Sequence, residues 1–119
     1  MWVNFIYKRR NESEAEFLTL FHSALSNLDN FLRDQEWFGE RLSYLDFLAW
    51  EFFDHVAIVF PEQIKSLEQI SEFYRRFAAL PKVDDYIKSE AFQKMQLYGP
   101  QARYCGNNVE MKRHEVLYD

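Results

Sequence analysis

Cysteine is almost absent: Cys105 is the sole one in 119 residues. No internal disulfide can form, so nothing requires an oxidising compartment and the cytosol is expected. Three glycines and three prolines leave few turn signals, and no alternating polar and apolar run bounded by such signals marks a strand. No apolar run reaches the ~20 residues of a spanning helix. The opening "MWVNFIYKRR" places its basic residues after a short apolar run interrupted by Asn4, the reverse of a signal peptide. Glycine-rich phosphate loops and nucleophile elbows are missing. Fourteen basic against nineteen acidic residues give a net charge of -5, which argues against binding to nucleic acid or to an anionic membrane surface.

What is present is large and apolar. The chain is 48% hydrophobic and 18% aromatic, enough for one domain with a real core. From Ser13 to about Arg33, Phe17, Phe21, Ala24, Leu25, Leu28, Phe31 and Leu32 recur at three- and four-residue spacing, predicting an amphipathic helix with Glu14, Ser23, Asn27 and Asp29 on its other side. Its start is ambiguous, because Asn11 with Glu14 and Ser13 with Glu16 would each make a capping box. From Ser66, with Gln69 at the third position, Ile70, Phe73, Tyr74 and Phe77 mark another helix ending before Pro81. Pro81 suits the first turn of a short helix carrying Val83, Tyr86 and Ile87.

"LSYLDFLAWEFFD", residues 42–54, reads as the start of a central helix over residues 44–60. Ser43 takes the N-cap and Asp46 the third helical position of a capping box, with Asp in place of the more usual Glu or Gln. Leu42 and Phe47 fall where a hydrophobic staple puts them. Between Leu45 and Phe60 only Glu51, Asp54 and His55 are clearly polar, so this helix is expected to be wrapped by the others. The fold expected is all-α, a bundle of about five helices around this one.

Polar side chains form no catalytic constellation. His22, His55 and His114 lie on separate segments and Cys105 has no partner cysteine, so no metal site is expected. Asp84 with Asp85, and Lys8 with Arg9 and Arg10, read as solvated ends.

The box and staple at the head of a central helix resemble those of the glutathione transferase C-terminal domain. The resemblance runs through "FLRDQEWF", "LSYLDFLAWEFFD" and "FPEQIKSLEQISEFYRRFAALPKVDDYIKS" to Tyr104, and is nearest the mu class. It covers about Glu14 to Tyr104 with one residue missing near Gly39. It implies a helical domain over residues 1–104 with an unassigned tail, 105–119, and a pocket for a hydrophobic electrophile, glutathione being the co-substrate and no cofactor being needed. Tyr7 falls close to a tyrosine whose hydroxyl assists some additions. Tyr98 and Gly99 match a segment closing the pocket, the glycine standing where the family usually has serine, and Tyr104 matches a tryptophan near the chain's end. The thioredoxin-like domain that holds glutathione has no counterpart here, and the first long helix looks half built. The isolated chain is therefore expected to be inactive, and to self-associate through the apolar surface left uncovered. The alternative implied is a non-catalytic interaction module of the same fold.

Overall fold

The computed structural model describes residues 2–6 and 13–93. All regular structure among them is helical, in the order α1 Trp2–Ile6, α2 Glu14–Leu32, α3 Tyr44–Val59, α4 Pro61–Lys65, α5 Glu68–Ala78, α6 Pro81–Lys88 and α7 Glu90–Gln93.

Ser13 starts α2. The Glu16 amide donates to Ser13 Oγ at 3.1 Å and the Ser13 amide to Glu16 Oε2 at 3.2 Å, a closed box that satisfies two of the four donors a helix start leaves over. The helix stops at Arg33, and Asp34 reverses the chain with φ 65°, a left-handed conformation that Asp tolerates better than most residues.

Only part of the apolar stripe expected on α2 enters the core. Phe17, Phe21, Leu25 and Leu32 are buried, whereas Ala24, Leu28 and Phe31 are exposed. The physical reason is the width of the neighbours. α2 packs against α5; Ala24 and Leu28 are turned away from that contact, and Phe31 is half covered by the ring of Phe38, stacked on it at 5.9 Å.

Ser66 is not the cap of the following helix. Pro61 opens a separate turn, α4, and Ser66 closes it: its amide donates to Glu62 O and its hydroxyl to Gln63 O. With the hydroxyl used as a donor, α5 begins after Leu67 instead, and its third amide, Ile70 N–H, is received by Asp29 Oδ1 of α2 at 2.9 Å. A residue expected on the solvent face of α2 therefore caps another helix.

Aromatic rings fill much of the interior. Trp2 and Phe5 of α1 lie against Phe17, Phe21, Phe52 and Phe60, with Phe5 stacked on Phe17 at 3.9 Å between centroids. Phe73 gathers Trp37, Phe38 and Phe53 at 5.1–6.2 Å, together with Phe77. Such pairs each add about 0.5–1.5 kcal/mol beyond the area they bury.

Candidate functional site

α3 is central, as expected, but it is not wrapped all round. Trp50, Phe53, Val56 and Ala57 are buried, while Tyr44, Leu45, Phe47 and Leu48 stand exposed over its first two turns. Tyr44 is 73% exposed and Leu48 45%. The helix is apolar on both sides, and the described elements cover one of them.

The start of this helix is held by its acidic residue. Ser43 is the N-cap and faces Asp46 in the capping-box arrangement, but the two arms are unequal. Asp46 is fully buried, and its carboxylate accepts the Ser43 amide at 2.9 Å and the Phe38 amide at 2.8 Å. The Ser43 hydroxyl makes no cap hydrogen bond within ordinary limits, and the Asp46 amide donates to the Ser43 carbonyl at 3.1 Å. Asp46 thus ties the loop ahead of α3 to the helix, which the box alone does not reveal. Leu42 and Phe47 occupy the staple positions; the Phe47 ring lies 6.3 Å from Tyr44 and 6.2 Å from Phe77.

The tethered loop curls around an open concavity of about 630 Å³ lined by residues 34–42. Arg76 of α5 fastens its floor: the guanidinium lies over Trp37, 5.3 Å from the ring centroid, and donates to the Glu36 carbonyl. One loop walls this space, and an arginine committed to that loop's own backbone is a structural anchor.

Beneath the exposed face lies a buried polar link. Tyr74 of α5 donates its hydroxyl to Asp54 Oδ1 at 2.6 Å, and Trp50 Nε1 donates to the Tyr74 carbonyl at 3.1 Å. Asp54 is 2% exposed. In the sequence it counts as polar relief on an apolar helix, and the signal that could have found it is Tyr74, an aromatic with a hydroxyl among phenylalanines on α5.

Of the residues singled out from the sequence, Ser43 and Asp46 meet at this helix start, and Leu42 and Phe47 flank it, both exposed. Tyr7, Tyr98, Gly99 and Tyr104 lie outside the described residues, as do Cys105, His114 and the rest of the tail. His22 Nδ1 lies 3.2 Å from Gln63 Oε1. Among the described residues no group of three or more His, Cys, Asp or Glu could hold a metal ion. No helix among them is long and apolar enough to cross a membrane.

The family model for the glutathione S-transferase C-terminal domain matches residues 1–90. The chain belongs to that family. Glutathione S-transferase B of Cavia porcellus is 31% identical over 88 residues, 73% of this chain and 41% of the relative. Glutathione S-transferase Mu 4 of Rattus norvegicus is 31% identical over 86 residues, 71% of this chain and 39% of the relative. A class-mu 26 kDa isozyme of Fasciola hepatica is 28% identical over 99 residues, 82% of this chain and 45% of the relative. The chain thus spans less than half the length of these transferases. No solved structure matches it. Within this glutathione S-transferase C-terminal domain, the opening of α3 leaves Tyr44, Leu45, Phe47 and Leu48 exposed.

Proposed function

We propose that this domain supplies the helical half of a mu-class-like glutathione S-transferase, providing the apolar wall against which a hydrophobic electrophile lies while glutathione is held elsewhere. The observation that carries the reading is the exposed apolar opening of α3, Tyr44, Leu45, Phe47 and Leu48, in a chain matching less than half of its transferase relatives. Apolar surface of this kind marks a place where another body packs. In this reading Tyr7, Tyr98 and Gly99 line the electrophile pocket, with Tyr7 as an assisting hydroxyl and no residue of this chain activating the thiol. The protein works in the cytosol, and its substrate is a hydrophobic electrophile.

Two measurements test it. The purified chain, given glutathione and a generic aryl halide, is expected to show no turnover and no retention on immobilised glutathione. Fused behind the N-terminal part of Glutathione S-transferase Mu 4 of Rattus norvegicus, it is expected to conjugate the aryl halide. A folded fusion that retains on glutathione yet conjugates nothing would remove the enzymatic reading and leave the interaction module of the same fold. Turnover by the chain alone would place a thiol site inside the helical domain.

A further inference from the structure

Ser43 differs from the other serine and threonine hydroxyls among the described residues. Thr19, Ser26, Ser66 and Ser89 each donate theirs to a backbone carbonyl. Ser71 is 4% exposed and accepts from Arg75, and Ser13 accepts the Glu16 amide in the closed box of α2. Ser23 lies in the middle of α2, where the backbone on both sides is committed to the helix. Ser43 alone joins an exposed hydroxyl with no hydrogen bond of ordinary geometry to an extended backbone, φ −149° and ψ 177°.

Its surroundings fit a modifying enzyme. Every residue from Gly39 to Leu45 is exposed, the longest such run among the described residues. Arg41 lies two positions ahead of the serine and Tyr44 directly after it, so the hydroxyl sits between a cation and a large ring. A protein kinase with an acidic rim and an apolar pocket beside its catalytic carboxylate is complementary to that order when the substrate is drawn out as a strand. Tyr44 and Leu45 must leave the first turn of α3 to follow the strand. Both side chains are exposed, so no core contact goes with them, and a helix end opens at low cost.

The effect of a phosphate here follows from its neighbours. Ser43 is one helical turn ahead of Phe47 and adjoins Tyr44, Leu45 and Leu48 of the exposed opening. A phosphoserine carries about −1.5 to −2 charge at pH 7, and the Asp46 carboxylate, which accepts the Ser43 amide at 2.9 Å, is already beside it. Two forces compete. The free amides at a helix start favour the phosphate, which keeps the modified chain folded. Asp46 repels it, and an apolar body packing on the opening must strip the water from a doubly charged group, which bars that body.

We propose that Ser43 is a phosphorylation site for a protein kinase that reads the arginine two positions ahead, and that the phosphate closes the apolar opening of α3 to what packs there. The second half rests on the transferase reading above, in which the opening receives an apolar body. In the modifying step Ser43 Oγ bonds to the γ-phosphorus of ATP, the bond from that phosphorus to the bridging oxygen breaks and ADP leaves, and the hydroxyl proton passes to the kinase's catalytic carboxylate.

The full chain, incubated with ATP and the catalytic domain of protein kinase C and mapped by mass spectrometry, tests the site. A phosphoryl group is expected on Ser43, none on the Ser43→Ala chain, and phosphorylation of Arg41→Gln about tenfold more slowly, the worth of one hydrogen bond to a charged group. No phosphate on the chain, or phosphate on Ser13 in place of Ser43, overturns the site. The phosphorylated chain is then expected to bind the neutral dye Nile red severalfold less than the unmodified chain, at unchanged helix content by circular dichroism; equal binding overturns the switch. In the fusion described above, phosphorylation is expected to lower conjugation of the aryl halide severalfold, and an active fusion that phosphate leaves unchanged overturns the switch as well. A fusion inactive before phosphorylation removes the transferase reading alone, because the mass and dye readouts do not use it.

Discussion

Asp54 of α3 accepts the hydroxyl of Tyr74 of α5 at 2.6 Å, in a place where neither side chain meets solvent. Tyr74→Phe keeps the ring and removes the donor from a buried carboxylate group. It is expected to destabilise the fold by about 1–3 kcal/mol, read as a lower urea midpoint at unchanged slope. A loss under about 0.5 kcal/mol, the scale of an ordinary surface change, would mean that the bond contributes nothing net.

The two members of the α3 capping box are expected to differ in weight. Asp46→Ala orphans the Ser43 and Phe38 amides together and is expected to cost about 2–4 kcal/mol. Ser43→Ala is expected to cost less than about 1 kcal/mol, toward the low end for N-caps, because the hydroxyl carries no cap bond of ordinary geometry. Denaturant unfolding of both variants decides; equal losses would contradict the assignment.

For α5, the cap comes from a different helix. Asp29→Ala is expected to cost about 0.5–2 kcal/mol, as the loss of an N-cap does, and Ser66→Ala under about 0.5 kcal/mol, as an exposed surface change. Hydrogen exchange at Ile70 provides a local reading: its protection should fall in the first variant and persist in the second.

Arg76→Lys keeps the charge but gives up the planar stack on Trp37. The loop at residues 34–42 is expected to loosen at a cost of about 0.5–1 kcal/mol. Quenching of tryptophan fluorescence by a neutral quencher should increase in the variant, and Trp37→Phe should remove that increase.

The exposed opening of α3 is expected to bind a hydrophobic dye, since a contiguous apolar patch recruits one. Leu48→Asp should lower the dye signal severalfold without a change in helix content. Unaltered dye binding would locate the responsive surface elsewhere.

Where a feature depends on one segment alone, it is legible in the sequence. Periodicity marks α2, the span of α3 and the Pro81 start of α6, because helical spacing and caps are local properties. Burial is decided between segments, and there the reading fails in a consistent direction. Phe31 and Leu48 match a core pattern yet stand exposed, while Asp29 and Asp54 look like polar relief and receive hydrogen bonds from elsewhere in the chain. A carboxyl group bonded to a partner 41 positions away, as Asp29 is to Ile70, leaves no mark at short spacing. Ser66 misleads for a related reason: a hydroxyl can accept at a helix start or donate at a helix end, and only the turn begun by Pro61 selects between them.

The capping of α5 by α2 also couples the two helices. α5 divides sharply into polar and apolar sides, and its eleven residues are marginal for an isolated helix in water. Its third amide is satisfied only after a loop from Asp29 to Ile70 has closed, and that closure costs entropy. The bond therefore holds only while both helices are in place, so the start of α5 depends on the integrity of α2. Weakening α2, by glycine at exposed Ser23 for instance, would loosen the start of α5 as well, although residues 33–67, with all of α3 and α4, lie between the two helices.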